Sequence, residues 1–225
     1  MTLLLLPGAG GRAWYWHRVV PLLLDAGHPA IAVDLPAADD AAGLAEYTDV
    51  AVGAGAQLSA PVTVVAQSLG AYVAAQVAVR LAAARIVLLN PMVPAPAESA
   101  EQWGENTGSA SARATHLARI GLSRTEFDMV EDFFHDVPAE VREDALAQPE
   151  PPQSSTPFRE PWPLPAWPDI PTTVLCGRDD RLFPLDFQRA VVRDRLGLDV
   201  TVVPGGHLNA LSRPADITRA LLEVS

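Results

Sequence analysis

Six short apolar runs punctuate the chain, at about 2–6, 30–34, 62–66, 85–90, 172–176 and 199–203. They are near-continuous rather than strictly alternating. A strand buried on both faces has no solvent side to mark with polar residues, so these runs read as strands covered by helices above and below. Helical patterns fall between them, at about 14–26, 41–58, 69–83, 185–196 and 214–224. Gly27 suits the end of the first helix and Pro214 the first turn of the last. Strand, helix and strand joined by short connections imply right-handed crossovers and a mostly parallel sheet. The expected class is therefore α/β, with about six strands and helices on both faces. A length of 225 residues suits one domain carrying an insertion, and no internal repeat is present.

One region breaks the alternation. Between the strand ending near Asn90 and the strand starting near Thr172 lie about eighty residues without a core strand. The first part contains amphipathic segments such as Arg113 to Ile120 and Thr125 to Phe134. The second, Pro149 to Pro171, holds nine prolines and reads as an extended return arm. The expected division is a core of residues 1–94 and 172–225, with 95–171 forming an inserted helical cap and arm. The insertion leaves the sheet at its C-terminal edge, where open α/β sheets bind ligands. Trp103, Phe127, Phe133, Phe134, Trp162 and Trp167 would roof that edge or glue the insertion to the core.

Three features carry chemistry. Ser68 stands in Ala66-Gln67-Ser68-Leu69-Gly70, after an apolar run and before an alanine-rich helical stretch. A serine on a sharp strand-to-helix turn needs small residues two before and two after it, and its hydroxyl is lifted clear of the strand end. The alternative is a plain serine N-cap. Downstream, Val174 to Gly177 ends in the loop Arg178-Asp179-Asp180-Arg181, and Val200 to Val203 ends in Pro204-Gly205-Gly206-His207. A carboxylate and a histidine at the ends of neighbouring parallel strands lie at the same sheet edge as Ser68. Serine, histidine and carboxylate together are the parts of an activated nucleophile, its base and the group that orients the base.

The first loop supports a rival. Gly8, Gly10 and Ala13 fit a dinucleotide fingerprint, and Asp34 lies at the end of the next strand, where it could hold a ribose hydroxyl. That would make the chain an NAD-dependent oxidoreductase. Trp14-Tyr15-Trp16 crowds the helix start where a pyrophosphate must approach, and the reading leaves Ser68, Asp180 and His207 unexplained. Otherwise these glycines let a backbone N–H, most simply that of Ala9, face a substrate carbonyl.

Charge and residue usage exclude several classes. A net charge of −11 argues against nucleic acid and anionic membranes as partners. Every basic residue is Arg, which excludes a Schiff-base lysine, a pyridoxal-phosphate site and a Walker phosphate loop. Cys176, alone and in an apolar strand, reads as a buried structural thiol. His17 and His28 read as surface or structural, and His116 and His135 as polar residues of the insertion. Too few His and carboxylate clusters remain for a metal site, and no cofactor is expected. Leu3 to Leu6 is too short for a signal-peptide core, and no run suits a membrane span, so a cytoplasmic monomer or homodimer is the expectation.

Over nearly its whole length the chain resembles the α/β-hydrolase superfamily, in its compact branch of esterases, methylesterases and hydroxynitrile-lyase-like proteins. The resemblance rests on Leu-Pro-Gly-Ala-Gly-Gly at 6–11, Asp34-Leu35-Pro36, the segment 66–70, Gly177 through Asp180 to Pro184, and Gly-Gly-His at 205–207. The chain order Ser, Asp, His is also that of the superfamily. Pro7 stands where the family usually has His, and the run at 2–6 is expected to match the family's third strand, without the family's first hairpin. The resemblance implies Ser68 as nucleophile, His207 as base and Asp180, rather than Asp179, as the acid. It implies backbone N–H groups of Ala9 and Leu69 as the oxyanion hole. The implied reaction is hydrolysis of a small carboxylic ester, such as a methyl ester or lactone. Perhydrolase chemistry and a non-catalytic ligand receptor on the same fold are alternatives. Leu208 and the absence of Lys argue against cyanohydrin cleavage.

Overall fold

The computed structural model describes residues 1–122, 124, 126–147 and 152–224. Thr125 and the first three residues of the proline-rich arm lie outside the described residues. Six strands form one parallel sheet: β1 (Thr2–Leu6), β2 (Ala30–Ala32), β3 (Val62–Gln67), β4 (Arg85–Leu89), β5 (Thr172–Gly177) and β6 (Val200–Val203). Their spatial order is β2-β1-β3-β4-β5-β6. Successive side chains of each strand enter different cores. Leu4, Leu6, Val64, Ala66, Ile86, Leu88 and Val174 share one core, while Leu3, Leu5, Val65, Val87, Leu89 and Leu175 share the other. This two-sided burial is the reason for the near-continuous apolar runs. Each buried leucine of β1 contributes roughly 1.5–3 kcal/mol.

The first core is closed by α2 (Leu44–Gly55) and α3 (Ala71–Arg80), the second by α1 (Val20–Asp25). The helices leaving β1 and β3 thus pass to opposite faces. Strand order reverses between these two strands, which opens a crevice at their C-terminal ends.

Two expected elements are shorter than their patterns suggest. The strand at 30–34 ends at Ala32, because Asp34 turns to accept the Ala13 amide at 2.7 Å. The helix expected at 14–26 splits into a 3-10 turn, Ala13–Trp16, and α1. Pro21 is the cause, since it tolerates only the first turn of an α-helix.

Between β4 and β5 lie α4 (Ala100–Thr107), α5 (Ser109–Arg119), α6 (Met129–Phe133), α7 (Ala139–Ala147) and α8 (Thr156–Arg159). After β5 come α9 (Leu185–Leu196), α10 (Asn209–Ser212) and α11 (Pro214–Val224). The stem of the insertion is tied to the core by a buried ion pair. Glu98 binds Arg195 of α9, with Nη2 to Oε1 at 2.8 Å, and Arg195 also reaches the Val93 carbonyl. Burial alone would raise the Glu98 pKa, but Arg195, Asn106 and the Ala95 amide outweigh it and hold the carboxyl below its usual range. Within the insertion, the fully buried Asp132 accepts from Arg113 at 2.9 Å, from Arg124 at 2.6 and 2.9 Å, and from the Asp128 amide at 2.9 Å. These contacts fasten α5 to α6.

Candidate active site

Ser68 follows β3 directly and has φ +50. That left-handed conformation costs a non-glycine residue roughly 1–3 kcal/mol, so the neighbourhood must enforce it. The Met92 amide donates to the Ser68 carbonyl at 3.1 Å, and the Ala71 amide reaches the same oxygen. Gly70 packs so tightly under β1 that a Cβ there would stand 2.6 Å from the Pro7 carbonyl oxygen. Ala66 is fully buried. The need for small residues around the serine therefore has a visible cause: β1 and β3 are adjacent, and the turn passes against the end of β1.

His207 lies beyond β6, on the loop that β6 and α10 suspend over the sheet edge. Its Nε2 is 3.2 Å from Ser68 Oγ, and its Nδ1 is 2.8 Å from Asp180 Oδ2. Asp180 Oδ1 accepts the Leu182 and Phe183 amides at 2.8 and 2.9 Å. A carboxylate offers only acceptors, so the proton of the imidazole sits on Nδ1 and the Nε2 lone pair faces the serine hydroxyl. All three side chains are buried, Asp180 and His207 at 1% and 2% exposure. Phe133 of α6 stacks on the imidazole at 5.2 Å and 23°, while Phe183 meets it edge-on at 5.1 Å. The ring is thereby fixed on both sides and shielded from water.

Asp179 is engaged elsewhere. Arg178 donates to it twice at 3.1 Å, and the Gly205 amide reaches it at 3.3 Å. Burial would raise its pKa, but these partners hold it below the usual carboxylate range. The geometry thus joins Asp180, and not its neighbour, to His207.

One residue of the site is missing from the sequence reading. Asn90, fully buried with φ +47 just past β4, binds both sides of the constellation. Its Nδ2 donates to the Gly206 and His207 carbonyls at 3.3 and 3.0 Å and to Asn209 Oδ1 at 3.2 Å, and its Oδ1 accepts the Gly177 amide at 2.7 Å. Nothing local marks it, because all its partners are over eighty residues away. Asn90→Ala leaves these buried groups unpaired and should lower unfolding free energy by roughly 2–4 kcal/mol, read from urea denaturation.

The loop after β1 passes beside Ser68. Its Gly10 amide donates to Gln153 Oε1 at 2.7 Å, and its Gly11 amide to the Gly8 carbonyl at 3.1 Å, while Ala9 is exposed. Asp34, the ribose-binding candidate, is bound to the Ala13 amide of the same loop. Both features stabilise the loop itself at positions where a dinucleotide would need free groups. Leu69 is the second residue of the 3-10 turn Ser68–Gly70, where the first amides lack partners within the turn.

The aromatic residues of the insertion divide by role. Trp103 is buried against Phe183 and Phe187 and donates to the Val93 carbonyl; Trp162 is buried, stacks on Trp167 and donates to the Tyr72 carbonyl. These fasten the insertion to the core. Phe133 reaches the imidazole, and Phe127 packs on Phe133 at 5.2 Å while remaining half exposed. His17 stacks on Trp14 at the surface. Cys176 is buried, which pushes its thiol pKa up. Among the described residues, no group of three or more His, Cys, Asp or Glu side chains could hold a metal ion, and no helix is long and apolar enough to cross a membrane.

A family model described as the alpha/beta hydrolase family matches residues 3–220. Solved structures give matching folds. Polyneuridine aldehyde esterase superposes with a TM-score of 0.75 at 19% identity, covering 99% of this chain and 98% of that one. A pyrethroid hydrolase from Sphingobium faniae JZ-2 gives 0.77 at 22% identity, over 99% and 96% of the two chains. A methylesterase from Arabidopsis gives 0.76 at 17% identity, over 99% and 98%. Among curated proteins nothing matches.

Proposed function

The chain belongs to the alpha/beta hydrolase family, and on that premise we propose that it is a serine hydrolase cleaving a small carboxylic ester through an acyl-enzyme on Ser68. The observation that carries this reading is the buried relay from Ser68 through His207 to Asp180, at 3.2 and 2.8 Å. The esterase and methylesterase folds it resembles support the same chemistry.

A serine hydroxyl is a weak nucleophile until a base takes its proton. His207 Nε2 accepts that proton as Oγ attacks the ester carbonyl. Asp180 keeps the imidazole in the tautomer that can do so and stabilises the imidazolium that results. Charge develops on the former carbonyl oxygen. The Leu69 and Ala9 amides receive it, each donor being worth about 3–4 kcal/mol in such sites. His207 then returns the proton to the departing alkoxide, and the alcohol leaves. Water, deprotonated by His207 in turn, attacks the acyl-enzyme; collapse releases the acid and restores Ser68. In this reading residues 95–171 form the cap, with Phe133 and Phe127 on its substrate side.

The test is labelling with a fluorophosphonate probe, followed by peptide mapping. A single adduct on Ser68, lost in His207→Ala, is the expected result. Folded wild-type protein that takes no label would refute the activated serine.

A further inference from the structure

We propose that Asp136 is a positioning residue for His207, gripping the base-bearing loop from the cap. The proposal rests on His207 as general base. Asp136 lies three residues beyond the ring that stacks on His207. Its Oδ2 accepts the Gly206 amide at 2.9 Å and the Ser212 hydroxyl at 2.7 Å. One carboxylate oxygen thus ties down the loop immediately before His207 and the last residue of α10 after it. The two bonds bracket the histidine.

The neighbouring residues act in the same direction. Phe133 covers one face of the imidazole, and the His135 ring faces the Asp179 backbone carbonyl on the acid-bearing loop. Gly206 has no side chain, and a Cβ there would stand 2.5 Å from His135 Nε2 and 3.0 Å from Asp136 Oδ1. The cap segment and the base loop are therefore in contact backbone to side chain, with no room for either to shift alone. Burial holds the His135 pKa below its usual range, and its Nε2 stands 4.0 Å from Asp136 Oδ1, beyond hydrogen-bond reach. Asp136 is left to Gly206 and Ser212. The seat of the cap then sets where His207 Nε2 stands relative to Ser68 Oγ, a distance to which the reaction is steeply sensitive.

The experiment uses the full-length protein with p-nitrophenyl acetate. Asp136→Ala should lower kcat by about 10–100-fold, since a displacement of about 1 Å can cost that much, with KM within about threefold of wild type. Asp136→Asn keeps one acceptor oxygen and should recover most of the rate. In Asp136→Ala the Gly206 amide should exchange with solvent deuterium at least about tenfold faster. Wild-type kcat in Asp136→Ala overturns the proposal. So does an equal loss in Asp136→Asn, which would assign the effect to charge and not to the grip. If the wild-type protein neither turns over ester nor labels at Ser68, the hydrolase reading fails instead. Gly206 exchange then still decides the matter, and an unchanged rate in Asp136→Ala removes the grip.

Discussion

Ser68→Ala is expected to lower kcat for a simple activated ester by about 10⁶-fold, with little change in the thermal unfolding profile. The size follows from what the substitution removes. Without Oγ no acyl-enzyme forms, and His207 can at best act on a water molecule that nothing holds in place. What remains is the stabilisation offered by backbone donors and by binding, which elsewhere leaves roughly 10³–10⁴-fold over the uncatalysed rate. The fold should tolerate the change, because Ser68 contributes its conformation to the turn more than its side chain to the core. Alanine at φ +50 bears much the same backbone strain as serine. Stopped assays with p-nitrophenyl acetate, paired with circular dichroism melts, read both quantities. Turnover within tenfold of wild type in a folded Ser68→Ala protein would sink the acyl-enzyme mechanism, however complete the relay is geometrically.

The strands were legible because burial on both faces leaves an unmistakable mark. Leu3 to Leu6 and Val62 to Ala66 feed two cores at once, so neither shows the polar alternation of a half-exposed strand, and Thr63 is the one polar residue in the two runs. The apolar pattern of the edge strand β2 runs on through Val33 to Asp34, past the end of the strand. Hydrogen bonding, not hydropathy, stops it: the Val33 amide still reaches Leu5, and Asp34 then turns to Ala13. The split in the first helix was marked by Pro21 but masked by the apolar run around it. α10 leaves no mark in the sequence because four residues carry no period.

The candidate site shows the same division between local and distant causes. Ser68 announces itself through the small residues that its turn demands, and Asp180 and His207 through their places after strands. Asn90 and Asp136 carry no such signature. Asn90 is one polar residue at the end of an apolar run, and its importance lies in carbonyls more than a hundred residues downstream. Asp136 sits in a stretch of acidic and aromatic residues, where a charge is ordinarily a solvated one. Its partners are a backbone amide and a serine, neither of which constrains sequence spacing. The insertion is legible as helical but not in detail, since its helices are short and are fixed by contacts such as Asp132 with two arginines rather than by their own periodicity.

Asp180→Asn is expected to lower kcat by about 10⁴-fold, equivalent to about 5 kcal/mol, while Asp179→Asn stays within about fivefold of wild type. The adjacent pair makes the contrast sharp. In the first variant the orientation of the new amide is not free. The Leu182 and Phe183 amides both donate to the Oδ1 position, so the asparagine oxygen must occupy it. The NH₂ group then takes the place of Oδ2, 2.8 Å from His207 Nδ1. A donor there needs an acceptor on the imidazole, which moves the ring proton to Nε2. The nitrogen facing Ser68 Oγ becomes a donor and can no longer take the serine proton. Shape, packing and backbone bonds are all preserved, so the loss would belong to the tautomer alone. Asp179, by contrast, faces Arg178 and the Gly205 amide, and an asparagine oxygen can still accept from either. If the two variants lost activity equally, the acid would not act through His207 Nδ1. If Asp179→Asn alone were impaired, Asp179 and not Asp180 would orient the base, and the loop would have to rearrange on binding substrate.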